Sequence, residues 1–339
     1  MDVIQDQEAG NGRGKIRGLS LLSGGLDSQL AICVLRAQGI EMEAVVFASP
    51  FFDITAAKRA ADSLGVRLHI VDFMADILSL VESPPHGFGS CMNPCIDCHA
   101  RMLSRAGAMI CSGGYDFVST GEVLGQRPMS QHRRALDIVA KDSGIRNFLL
   151  RPLSALRLPP TLMEEDGRVD RTKLLALEGR SRKPQMALAK QYGLVDYPSP
   201  AGGCKLTEPN YSRRLKDLKE HEGLGQTTLV GLLKVGRHMR LPQGGRAVIG
   251  RNKADNEAIR VALGPKDTLI RSVEVPGPSV LIWRGASQEE IALGRAICAS
   301  YAGRGEAGTV LVRTTRRNVD PVEERIAPID REAFSSWIL

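Results

Sequence analysis

The strongest constraint on this chain is the string Ser23-Gly-Gly-Leu-Asp-Ser28. It lies between a buried-strand pattern over Ile16 to Leu22 and an apolar helical pattern from about Gln29 to Gln38. Gly24 and Gly25 let the backbone approach an anion closely, and the following helix start offers unpaired N–H groups and a positive dipole end. Ser23 and Ser28 add hydroxyls, and Asp27 can orient Mg²⁺ or a water in its shell. The chain has no GxxxxGK[ST] string and no GxGxxG string, which argues against a Walker-type NTPase and against a dinucleotide fold.

The surrounding pattern alternates strand and helix. Gly39 ends the first helix, Glu43 to Ala48 reads as a second strand, and Asp53 caps a helix that runs to Leu64. Arg67 to Val71, Phe117 to Thr120 and Phe148 to Leu150 follow as strands. Short apolar strands separated by helices imply a parallel sheet covered on both faces, with ligands at the carboxyl ends of its strands. From Arg151 the texture is helical, with segments near Thr172–Leu177 and Lys183–Tyr192. A Pro/Gly-rich stretch from Tyr197 to Pro209 comes next, and after Gly223-Leu-Gly225 strand-like runs alternate with two helical ones. The expected fold is α/β: a parallel-sheet domain over 16–224, a smaller α+β domain over 225–339, and a frayed tail over 1–15.

Composition narrows the class. With 339 residues, 43% hydrophobic and 24% charged, the chain is an ordinary globular one of about two domains. It holds no apolar run that could span a bilayer, and its first residues are polar and carry acids, so a cytoplasmic protein without a membrane partner is expected. Residues 225–339 carry 17 Lys/Arg against 12 Asp/Glu, so they hold +5 of the total net charge of +7. An excess concentrated there suits a polyanionic partner. The seven cysteines are odd in number, so a disulfide framework is not expected. Cys33, Cys111 and Cys298 read as small core hydrophobes.

The glycine string after the first strand resembles the PP-loop (adenine nucleotide alpha hydrolase-like) ATP pyrophosphatases. That resemblance implies cleavage of ATP between its α and β phosphates and transfer of AMP to an acceptor oxygen. A second string, Thr120-Gly-Glu-Val-Leu-Gly-Gln-Arg-Pro-Met-Ser-Gln131, follows the fourth strand, and Arg151-Pro-Leu153 follows the fifth. Both are similar to segments of the tRNA 4-thiouridine synthetases, and the likeness runs in order over roughly 16–210. It implies that Ser23, Gly24, Gly25, Asp27, Ser28, Gly121, Glu122 and Gln126 frame a site for ATP, Mg²⁺ and uridine, with Arg127 offering charge to phosphate.

Asn93-Pro-Cys-Ile-Asp-Cys-His99 resembles the NPCxxCN string of the bacterial tRNA 2-thiouridylases, which pair it with a later cysteine, here Cys204. Thiolates at i and i+3 can share a metal centre that a distant cysteine closes. Cys95, Cys98 and Cys204 are thus expected to ligate a [4Fe-4S] cluster with one open iron. Three other readings stay open: a Zn²⁺ site that also uses Cys91, a Cys98–Cys204 pair cycling through persulfide and disulfide, and no shared site. His99 stands where that family has Asn, and a surface role at a helix start is expected for it.

The order Lys234 to Arg240, Val248 to Asn256, Pro276 to Ser279 and Arg313 to Val319 looks like the C-terminal RNA-binding domain of NFACT proteins, with Pro278-Ser279 in place of Ser-His. Arg240, Arg251, Arg316 and Arg317 would contact phosphates there without reading sequence. The combined expectation is an ATP-dependent tRNA uridine thiolase, a tRNA sulfurtransferase whose catalytic residues are Asp27, Cys98 and Cys204. Its partners would be tRNA and a sulfur donor, either sulfide or a carrier protein. The alternatives are a ligase or sulfur-insertion enzyme for a small molecule and a non-catalytic RNA adaptor. Arg180, Arg182, Lys183 and Lys205 are further candidates to hold phosphate or RNA, on charge alone.

Overall fold

A computed structural model describes residues 15–199, 203–303 and 305–339; the tail over 1–14 and the Pro200–Gly202 part of the Pro/Gly stretch lie outside them. The chain divides into two compact units, Met1–Lys205 and Leu206–Leu339.

The first unit is built on β1 (Arg17–Leu21), α1 (Leu26–Arg36), β2 (Glu41–Ala48), α2 (Thr55–Leu64), β3 (Leu68–Asp72), α3 (Met74–Glu82), α4 (Cys95–Gly113), β4 (Phe117–Ser119), α5 (Arg133–Asp142), β5 (Leu149–Leu150), α6 (Leu162–Glu165) and α7 (Lys183–Gln191). The strands form one parallel sheet in the order β3-β2-β1-β4-β5. Apolar runs in the strands and the inner stripes of the helices make its core: Leu30, Ile32, Leu35, Ala44, Phe117 and Leu150 are all buried. The order changes direction between β1 and β4, so their following loops diverge and leave a crevice at the carboxyl edge. Both glycine-bearing strings follow these two strands.

Local differences from the sequence reading have physical causes. Helix α1 opens at Leu26, because Gly25 in an extended conformation is its N-cap. The helix expected near Thr172–Leu177 is a single turn, Arg171–Lys173. Beyond it the backbone runs extended, and the Leu175 and Leu177 N–H groups donate to the Pro152 and Leu153 carbonyls at 2.9 and 2.8 Å. At the amino end of the sheet, Glu43 accepts from Arg17 (2.8 Å) and Tyr115 (2.7 Å) and pairs with His69 Nε2 at 2.6 Å. Burial pushes the Glu43 carboxyl up, but these three partners outweigh it and hold the group down at about 2.

The second unit carries α8 (Pro209–His221), α9 (Thr227–Leu232), β6 (Arg237–Arg240), β7 (Arg246–Ile249), α10 (Lys253–Val261), β8 (Thr268–Ser272), β9 (Ser279–Ile282), α11 (Gln288–Tyr301), β10 (Val310–Arg316) and β11 (Val319–Ile326). Its sheet is antiparallel in the order β11-β10-β8-β9-β7-β6. The division falls after Lys205 rather than after residue 224, and α8 explains why. Its Leu215 and Leu218 are fully buried, and its Asp217 pairs with Arg240 of β6 and with Arg246 of β7, a side chain with no exposure. Glu222, just beyond α8, pairs with Arg240 at 2.6 Å. Arg240 is therefore an internal cross-link and not the phosphate contact expected of it.

Candidate nucleotide and sulfur site

The loop between β1 and α1 is held from within. Gly24 adopts φ +81, and a Cβ on it would lie 2.3 Å from the Ala56 carbonyl carbon. Gln29, almost fully buried, donates to the Gly24 carbonyl at 3.0 Å and to the Asp196 carbonyl at 3.0 Å. Ser28 Oγ donates to the Gly25 carbonyl at 2.8 Å, and Ser23 and Ser28 lie 3.3 Å apart through their hydroxyls. Gly25 gives α1 no side-chain cap, so the opening N–H groups of that helix remain available to an anion.

The loop after β4 closes on this turn. A Cβ on Gly121 would lie 2.5 Å from the Asp27 carbonyl and the Ser28 nitrogen. Glycine at 121 lets the two loops meet, while glycine at 24 lets the first loop pack against Ala56 and Ala57 of α2. Gln126 donates to Asp27 Oδ2 at 2.7 Å, while Asp27 Oδ1 is buried without a hydrogen-bond partner. Burial raises the Asp27 pKa, opposed by Gln126 and by the charges of Arg182 and Arg127. A carboxylate oxygen with no protein donor is a hard ligand of the kind Mg²⁺ takes. Gln185 of α7 donates to Gln126 Oε1 at 3.2 Å. The sequence reading named Gln126 and Arg182 but not Gln185. Its one available signal is helical spacing, which puts it with buried Ala189 on the inner face of α7.

Glu122 has a different environment. Its carboxylate is buried; one oxygen accepts from Arg151 Nε (2.8 Å) and Thr120 (3.1 Å), the other pairs with His99 Nδ1 at 2.9 Å. Burial alone would raise its pKa, yet Arg151 and His99 hold it well below the usual carboxylate range. Both oxygens are thus committed within the protein. His99, expected at the surface, instead ties the start of α4 to the loop after β4.

The cysteines expected to act together are neighbours. Asn93, buried, donates to Cys95 Sγ at 3.1 Å and accepts from the Cys91 N–H at 3.0 Å, which shapes the turn into α4. Cys98 is buried, and Cys204, half-buried, lies where the chain bridges to Phe52. The Cys98 thiol is pushed well up, by burial first and then by Cys204, Cys95 and Asp97. Among the described residues, however, no three His, Cys, Asp or Glu side chains are arranged to hold a metal ion. Cys95, Cys98 and Cys204, the expected ligands, are thus not placed as a coordinating group of three. Of the other cysteines, Cys298 is buried as expected, Cys33 is half-buried and Cys111 is exposed. No helix among the described residues is long and apolar enough to cross a membrane.

A parallel sheet with a glycine-bearing turn and an uncapped helix start at its switch point makes this an α/β domain with a candidate anion site at its carboxyl edge. Residues 14–157 match the family model described as thiamine biosynthesis protein (ThiI), and residues 236–338 match the NFACT protein RNA binding domain. The two matches fall on separate stretches of the chain, one in each compact unit. It is 24% identical over 218 residues to a tRNA-specific 2-thiouridylase MnmA of Marinobacter nauticus, covering 58% of this chain and 52% of that one. It is 33% identical over 115 residues to a probable tRNA sulfurtransferase of Caldanaerobacter subterraneus, covering 31% and 29%. The chain thus spans about half, or less, of the length of these relatives. Among solved structures, a 4-thiouridine synthetase–RNA complex with bound ATP aligns at 20% identity and TM-score 0.32, over 52% of this chain and 51% of that one.

Proposed function

We propose that the protein thiolates uridine in tRNA in two steps, with ATP as the activator. The observation that carries this reading is the Asp27 carboxylate, in the turn against which Gly121 packs, with one oxygen held by Gln126 and the other buried and unclaimed. Ser23, Ser28 and Asp27 would hold Mg²⁺, which when bound neutralises phosphate charge. The open N–H groups of α1 receive the β- and γ-phosphates, and the uracil carbonyl oxygen attacks the α-phosphorus. Pyrophosphate leaves with the electron pair of the broken P–O bond. The uracil carbon is now bonded to AMP through its former carbonyl oxygen.

Sulfur substitution follows from Cys98 and Cys204. The terminal sulfur of a persulfide on one cysteine attacks the activated carbon, its proton passes to solvent, and AMP departs with the old oxygen. The second cysteine, as thiolate, attacks the cysteine-bound sulfur, which closes a Cys98–Cys204 disulfide and releases the thionucleoside. A persulfide-carrying protein recharges the pair after a small thiol reductant has opened it. The second unit, with its basic excess, grips the RNA.

The test is pyrophosphate release and thionucleoside content with bulk tRNA, MgATP and a persulfide donor. Wild type makes both products. C98S and C204S should release pyrophosphate but form no thionucleoside. Pyrophosphate release that ignores RNA would point to a small-molecule acceptor, and no release under any condition would overturn the reading.

A further inference from the structure

Helix α7 reaches into the nucleotide loop from a distant part of the chain. Its Gln185 is 1% exposed, an unusual environment for an amide. Gln185 Nε2 donates to Gln126 Oε1 at 3.2 Å, and Gln126 Nε2 donates to Asp27 Oδ2 at 2.7 Å. An amide has one accepting end and one donating end. With its oxygen claimed by Gln185, Gln126 must turn its NH₂ group to Asp27. Rotated the other way, it would set a carbonyl oxygen against a carboxylate oxygen. The chain of donors thus fixes both the amide and the carboxylate, and it leaves Asp27 Oδ1 and Gln185 Oε1 buried without partners. At the start of the same helix, Arg182 also has a buried, unpartnered Nε.

We propose that Gln185 is a positioning residue: it sets the direction of the Gln126 amide and thereby holds Asp27 with one carboxylate oxygen facing the nucleotide and its cation. This rests on the nucleotide-activating reading above. An apolar isostere at 185 frees Gln126 to rotate, and Asp27 loses its fixed orientation. A carboxylate at 185 inverts the chain, because it accepts from the Gln126 NH₂ group and turns the Gln126 oxygen onto Asp27.

The experiment is calorimetric titration of the full chain with MgATP, using wild type, Q185M, Q126M, the double variant and Q185E. The Gln126–Asp27 hydrogen bond, made to a charged group, is worth about tenfold or more in an equilibrium, so Q185M, which frees Gln126 to turn away from it, should weaken MgATP binding by up to about tenfold. Q126M should weaken it at least as much. The double variant should bind no worse than Q126M alone, because Gln185 acts through Gln126. In turnover, Q185M should lower kcat and leave the KM for tRNA unchanged. Q185E should bind MgATP more weakly than Q185M; if it does not fold, judged by circular dichroism, the apolar cycle decides alone. Additive losses in the double variant, or wild-type affinity in folded Q185M, overturn the inference and leave the nucleotide reading intact. Wild type that binds no MgATP overturns that reading and this inference with it.

Discussion

Two carboxylates of the first unit, Glu43 of β2 and Asp27 at the start of α1, meet opposite fates. Glu43, toward the amino end, accepts from Arg17, Tyr115 and His69, and its pKa is held down at about 2. Asp27, at the carboxyl edge, has one donor and an orphaned oxygen, and burial drives its pKa up. The first arrangement stabilises the fold. The second costs stability and gains only when something else supplies the missing partner. Polar groups that the protein satisfies by itself belong to the architecture, and those left wanting mark the chemistry.

The sharpest attempt to break this contrast is D27N. Removing the carboxylate should reduce pyrophosphate release about a thousandfold, the scale of losing a charge-stabilising group at a reaction centre. The same variant should melt no lower than wild type at neutral pH. The sign follows from the raised pKa: ionising Asp27 opposes folding as pH climbs past its ordinary value of 3.8, and Asn removes that penalty. A clear fall in melting temperature would place Asp27 with Glu43 as a structural group.

E43Q is the counterpart. It should lose about 3 kcal/mol of stability at neutral pH while each folded molecule keeps its turnover. Because the Glu43 pKa is depressed, its contribution is complete above 4.5 and fades as pH falls toward about 2. Urea melts of wild type and E43Q should therefore converge across that interval, and parallel curves would refute the assignment. The second unit offers the same distinction between satisfied and open groups. R240A leaves Asp217 and Glu222 short of a partner and should cost on the order of 3 kcal/mol. Its effect on the salt dependence of RNA binding should be nil. The smallest effect belongs to R316A and R317A at the turn between β10 and β11. Each should reduce the slope of log affinity against log salt by about one and leave the melting temperature alone.

Much of this was legible along the chain, for identifiable reasons. Apolar runs such as Glu43 to Ala48 announced the parallel strands, and Gly39 announced a helix end. The close packing at Gly24 and at Gly121 was foreshadowed by the two glycine strings. Strand β11 was not foreseen, because Pro321 and its run of charges break the apolar pattern of a strand, yet an exposed edge strand tolerates both. The membership of α8 was hidden because Asp217 finds its arginines only after β6 and β7 have paired. The Gln185–Gln126 contact joins positions 59 apart, and no local pattern reports which way an amide will face. The fate of Glu122 was equally invisible, since its string marks a loop but says nothing of His99 and Arg151 closing over the side chain.

The uncompensated oxygen at position 27 has a consequence beyond catalysis. A polypeptide that folds around an unmet electrostatic demand is tightened by whatever meets it, so saturation with MgATP should slow its opening and its digestion by proteases.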